Sequence, residues 1–307
     1  MSLSRSLLLT ASRSRRLAAV LRHRRFVGRA VRRFMPGEEL SAALEAARRF
    51  AGAGIGTVLT QLGENVTGLA EAESVHLHYL DVLRDIQRAA LPAQVSVKLT
   101  QLGLDVDQGA CERALRSLAG RAAESGSTLW IDMEDSSYTD VTLDLFRAVR
   151  VAQPNVGLCL QAYLRRTPAD LASLLPLEPA IRLVKGAYAE PPEIAYPRKS
   201  DVDAAYFSLA DQLLARAAQG TARPVFGTHD MTLVSRIRAR ASELRLPPRA
   251  CEFHLLYGIR DRDQRALAAA GEAVRVLISY GSAWFAWYMR RLAERPANVW
   301  FVLKNLI

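Results

Sequence analysis

The chain is short of cysteine, of long apolar runs and, at one end, of acidic residues, and each shortage narrows what it can be. Cys111, Cys159 and Cys251 are the only cysteines; they are widely spaced, with no CxxC and no Cys/His ligand pattern. Neither a disulfide framework nor a zinc site is expected, and reduced thiols fit a cytoplasmic compartment. No apolar run approaches the ~20 residues that cross a bilayer. A G-x-S-x-G elbow and a P-loop are both missing, which removes two common nucleophile and phosphate-binding devices. His76 and His78 stand two apart on a helical stretch and do not face each other, so no metal site is expected.

Residues 1–33 contain no Asp or Glu and hold ten arginines. The formal net charge of +10 therefore belongs to this arm, since the remainder carries 31 basic and 31 acidic residues. A nucleic-acid groove on the folded domain is disfavoured by that arithmetic. The arm, taken as residues 1–35, mixes Ser, Leu and Arg. It reads as a solvated or frayed helix, as an amphipathic segment lying on anionic lipid at the inner face of the cell membrane, or as a targeting segment. Residues 36–307 read as one catalytic domain.

What is present in that domain is alternation. Short apolar runs occur at Ile55–Leu59, Val95–Leu99, Leu129–Met133, Val156–Leu160, Ile181–Val184, Val225–Gly227, Glu252–Leu256 and Val274–Ser279. Each is too short for a helix and lacks helical periodicity. Helix-period stretches separate them: Thr67–Ala90, Gln108–Glu124, Thr142–Ala152, Pro168–Leu175, Asp201–Ala218, Met231–Leu244 and Arg262–Ala270, with Leu40–Phe50 before and Ser282–Arg295 after. Thr167-Pro168 resembles an N-cap followed by proline at the first helical position, and Gly126, Gly220 and Gly271 sit where helices should stop. Eight strands alternating with helices predict a parallel α/β sheet, and eight strands close a TIM-like (β/α)8 barrel. A doubly wound open sheet is the alternative, but it usually places a glycine fingerprint after its first strand; here Gly52, Gly54 and Gly56 come before that strand or at its start, not after it.

In such a barrel the active site lies at the C-terminal strand ends. Those ends carry Lys98; Asp132, Met133, Glu134 and Asp135; Gln161 and Tyr163; Arg182, Lys185 and Tyr188; Thr228, His229 and Asp230; Leu256 and Tyr257; and Tyr280. The following helix carries Arg290, Arg291 and Glu294. Charges inside apolar runs need a partner or a ligand, because desolvation is costly. One lysine alone reads as a buried ion pair, such as Lys98 with Asp132, whereas charges at many strand ends favour a ligand site. Arg290 and Arg291 project about 100° apart, so they reach one anion only if their helix crosses the site; otherwise they are a solvated surface pair. Cations and aromatics without an evident nucleophile or metal suit a redox cofactor and an anionic substrate.

Six segments carry a resemblance: VSVKLTQLG around Lys98, LWIDMED around Asp132, LCLQAY around Gln161, RLVKGAY from Arg182 to Tyr188, THD from Thr228, and YMRRLAERPAN from Tyr288 to Asn298. Together, and in this order, they resemble the bacterial monofunctional proline dehydrogenases. The resemblance implies a distorted barrel whose last helix lies over the strand ends. It implies non-covalent FAD, L-proline as hydride donor, 1-pyrroline-5-carboxylate as product, and a membrane quinone as electron acceptor. Lys98, Arg290 and Arg291 would hold the proline carboxylate, and Glu64 would pair with Arg290 as a lid. Tyr188, Leu256 and Tyr280 would wall the ring, with Tyr280 crowding a 4-hydroxyl. Arg182 would approach flavin N5 and Gln161 the pyrimidine edge. Asp132 would orient Tyr280 and the polar network around it. Met133, Lys185, Gly186, Ala187, Thr228 and His229 would line the cofactor. Asp230 stands where the family commonly has Asn, and Tyr257 has no assigned role. Another flavin barrel of the folate-reductase kind and a non-enzymatic nucleic-acid binder are the competing readings.

Overall fold

The computed structural model describes residues 31–285. Eight parallel strands close into a barrel in sequence order, with β8 paired back to β1. The strands are β1 (Gly56–Gln61), β2 (Ala93–Val97), β3 (Leu129–Ile131), β4 (Val156–Gln161), β5 (Ala180–Val184), β6 (Arg223–Gly227), β7 (Glu252–Leu256) and β8 (Ala273–Tyr280). Helix α1 (Leu40–Ala51) precedes β1. The crossovers are α2 (Leu69–Arg88), α3 (Gln108–Ala123), α4 (Thr139–Arg150), α5 (Thr167–Leu174), α6 (Lys199–Ala218), α7 (Met231–Glu243) and α8 (Asp261–Ala269). All eight expected strands and the expected helices up to α8 are found, with ends shifted by a few residues. Most of the stretch expected as a helix after β8, Arg290 and Arg291 included, lies outside the described residues, as does most of the basic arm.

The strands alternate between two environments, as a period of two requires. One face supplies Val95, Ile131, Leu158, Leu183, Phe253 and Ile278 to the large apolar layer between barrel and helices. The other face points down the barrel axis, where Val58, Trp130, Ala180 and Val225 pack with Leu277. That inner face is unusually polar: Gln94, Ser96, Arg182, Glu252 and His254 are all buried. Helices close in the expected way. Gly126, Gly220 and Gly271 all have positive φ, the left-handed stop that glycine adopts without penalty.

Two local expectations change. Thr167 is the first helical residue of α5, not its cap, and its hydroxyl donates to the Gln161 carbonyl at 2.6 Å. The packed body also begins before residue 36, because Val31 and Met35 are buried. The segment at Arg33 crosses close above Gly258, which has φ +71, and a Cβ there would fall 1.6 Å from the Arg33 carbonyl oxygen.

Candidate active site

Two adjoining cavities open at the C-terminal end of the barrel. One, about 360 Å³, is bordered by Glu64, Lys98, Met133, Gln161, Tyr188 and Ser279 among others. The second, about 590 Å³, runs over Arg182, Lys185, Gly186, Thr228, His229 and Asp230. Asp132, Val184, Ala187, Leu256 and Leu277 line both, so they form one continuous depression.

A charged network occupies its floor. Lys98 Nζ donates to Asp132 Oδ2 at 3.0 Å. Ser96 Oγ donates to Asp132 Oδ1 at 2.8 Å, and Arg182 also bonds that oxygen. Arg182 Nη2 reaches Ser96 Oγ at 2.8 Å, while its Nη1 has no hydrogen-bond partner and is buried. Burial pushes the Asp132 carboxyl upward, but Lys98 and Arg182 outweigh it and hold the pKa below the ordinary value. Burial likewise works against the Lys98 ammonium. Asp132, with Tyr188, Glu64 and Glu134 beyond it, wins and raises its pKa. Both groups therefore stay charged. The neighbouring Glu134 is pushed up by its own burial, although Thr100 donates to it from both backbone and hydroxyl.

Further round the rim, Gln161 Nε2 donates to the Met133 and Glu134 carbonyls at 2.9 and 2.8 Å, which leaves its buried Oε1 without a partner. Lys185 bridges Asp203 and Asp230, the latter at 2.9 Å. Burial opposes the Asp230 charge, yet the Lys185 contact holds its pKa down to about 2. Asp230 also caps α7. His229 Nε2 accepts from the Leu256 amide at 2.9 Å, so in a neutral ring the proton sits on Nδ1. At Gly186, φ is +118 and a Cβ would strike the Tyr163 ring at 2.2 Å, so only glycine lets the RLVKGAY segment turn here.

The structure thus brings together Lys98, Asp132, Met133, Gln161, Arg182, Lys185, Gly186, Ala187, Tyr188, Thr228, His229 and Leu256. Glu64 borders the same depression; its expected partner Arg290, and Arg291, lie outside the described residues. Tyr280 is a correction. It is 1% exposed, and its hydroxyl lies 2.8 Å from His78 Nε2 on α2, on the helix side of the barrel. Leu277 and Ser279 face the cavity from β8 instead. The expectation that Tyr280 walls the ring and crowds a 4-hydroxyl has no support in this arrangement, nor does Asp132 contact it. Tyr257 packs edge-on against Phe50 of α1, away from the depression.

Comparison with known proteins decides the family. A profile described as proline dehydrogenase matches residues 43–304. The chain belongs to the proline dehydrogenase family. Its activity class is therefore that of an oxidoreductase of proline catabolism. Proline dehydrogenase 1 of Bacillus subtilis subsp. natto is 35% identical over 277 residues, which cover 90% of each chain. Proline dehydrogenase of Deinococcus radiodurans is 36% identical over 280 residues, covering 90% of this chain and 89% of that one. Among solved structures, proline utilization A of Bdellovibrio bacteriovorus superposes with a TM-score of 0.81 at 24% identity. It matches over 90% of this chain and 33% of its own, and shows the shared fold. Five of the six family-like segments converge on the depression; the sixth falls beyond the described residues. Sequence reading missed Thr60, Ser96, Trp130, His254, Leu277 and Ser279. The signal that finds them is alternation: each lies an even number of residues from an inward-facing group on its own strand.

Proposed function

We propose that this chain oxidises L-proline to 1-pyrroline-5-carboxylate using bound FAD, and that a membrane quinone takes up the electrons. The observation that carries the reading is the convergence of Lys98, Asp132 and Arg182 on one depression, with unpartnered polar atoms on Arg182 and Gln161. A buried donor and a buried acceptor left unpaired are costly unless a ligand completes them. An isoalloxazine ring offers an unprotonated nitrogen for Arg182 Nη1 and an N–H for Gln161 Oε1, so these residues fit a flavin. Lys185, Gly186, Ala187, Thr228 and His229 line the second cavity, which suits the remainder of a dinucleotide.

When bound, FAD supplies a hydride acceptor. The chain's own residues do the rest. Lys98 stays cationic and faces the first cavity, where it holds the substrate carboxylate together with Arg290 and Arg291. Tyr188, Leu256 and Leu277 exclude water around the ring carbons. Proline must lose its ammonium proton before C5 can release a hydride. No side chain is assigned as base, so kcat/KM is expected to fall at low pH. The carboxylate assignment is tested with Lys98→Met, assayed with L-proline, a soluble electron acceptor and trapping of the pyrroline product. The Michaelis constant should rise about tenfold or more while flavin content is kept. An unchanged Michaelis constant would remove Lys98 from the substrate site.

A further inference from the structure

Arg182 is 3% exposed, and its position inside the barrel has to be set by its neighbours. The hydrogen bonds to Ser96 and Asp132 both use Nη2. Those bonds hold one corner of the guanidinium, and the Cys159 thiol on the adjacent strand also interacts with it. The indole of Trp130 adds a planar constraint that neither of these supplies, with the Arg182 guanidinium carbon 5.1 Å over its ring centroid.

That indole is itself held on several sides. Its Nε1 donates to Gln94 Oε1 at 2.7 Å. Gly157 on the adjacent strand makes room for it, because a Cβ there would lie 2.5 Å from Trp130 Cζ3. The His254 ring meets it nearly edge-on, at 5.7 Å and 78°. Barrel interiors are usually filled by branched aliphatic residues. A leucine or isoleucine would occupy this layer without needing Gln94 or a glycine notch, but it would present no π-face to a cation.

We infer that Trp130 is a positioning residue for the oxidation: its indole face fixes the plane of Arg182 and so aims the unpartnered Nη1 at the ligand depression. The inference rests on the reading above, in which Arg182 meets the flavin. The alternative is that Trp130 only fills the barrel.

A double-mutant cycle separates the two. Trp130→Leu and Trp130→Phe are made in the full chain, alone and combined with Arg182→Lys, with circular dichroism as the check on folding. Three quantities are read: the thermal midpoint of the flavin-free protein, its dissociation constant for FAD, and kcat and KM for proline. Trp130→Leu should lower kcat about tenfold, with KM changed less than about threefold, and should weaken FAD binding severalfold. Trp130→Phe, which keeps a ring face, should lose less. With Arg182→Lys already present, Trp130→Leu should add less than about twofold, and the thermal shifts should be non-additive. Equal losses in both backgrounds, with additive thermal shifts, would overturn the inference. Where Trp130→Leu does not fold, the Trp130→Phe cycle decides in the same way. A wild-type protein that takes no FAD or leaves proline unoxidised would sink the functional reading instead. The thermal cycle on the flavin-free protein would still decide whether Trp130 acts through Arg182.

Discussion

Tyr280 shows how a residue at the end of a strand can still stand outside the site. The strand period assigns it to the helix side, because Leu277 and Ser279 take the inward positions. Its hydroxyl lies within hydrogen-bond distance of His78, whose pKa burial lowers despite Asp81. Tyr280→Phe should therefore cost about 1 kcal/mol of stability and leave the Michaelis constants for proline and 4-hydroxyproline unchanged. A changed preference between the two substrates in steady-state assays would return Tyr280 to the substrate wall. His254 offers a second residue-scale test. Burial lowers its pKa from 6.5 to about 4. Between these values the unfolded chain binds a proton that the folded chain refuses, so stability falls as pH drops through that window. His254→Gln should flatten the thermal midpoint against pH across the same range. A slope equal to that of the wild type would show that His254 does not control it.

At the scale of elements, the sequence was most legible where a strand is short, apolar and bounded by polar residues. Glu252–Leu256 was read to the residue, and β1 to β8 were all found, because a period of two and a helical period alternate without ambiguity. The strand ends also yielded most of the depression, since Lys98, Asp132, Gln161 and Arg182 interrupt apolar runs and must face something polar. The reading failed where it took a strand-end residue without its parity, as at Tyr280. It also passed over Trp130 and His254, whose apolar and aromatic character hides an inward polar role. The N-terminal boundary escaped for another reason: the contact between Arg33 and the turn after β7 is long-range and leaves no local pattern. Gly258 marks that contact. Gly258→Ala combines a left-handed φ with a Cβ 1.6 Å from the Arg33 carbonyl oxygen. It should lower stability by roughly 2 kcal/mol or more, measured by urea unfolding. A neutral result would mean that the segment does not pack on the turn after β7.

For the whole molecule, the barrel separates its tasks by layer. The helices and the outer strand faces make an apolar shell. The barrel's lower interior is an ion network in which Glu252 accepts from Arg223 and Arg275; burial opposes its charge, and His254 first, then those arginines, hold its pKa low. Arg223 also approaches Trp130, with its guanidinium carbon 5.7 Å from the ring centroid, so this network adjoins the layer that supports Arg182. The upper interior is the ligand depression. No described helix is long and apolar enough to cross a membrane. The central claim is that this barrel holds a flavin that proline reduces. The most direct test is a visible spectrum of the purified, FAD-loaded protein before and after L-proline, without oxygen. Bleaching of the flavin bands is the predicted result. A flavin spectrum that proline leaves unchanged, or no flavin bound at all, would contradict it.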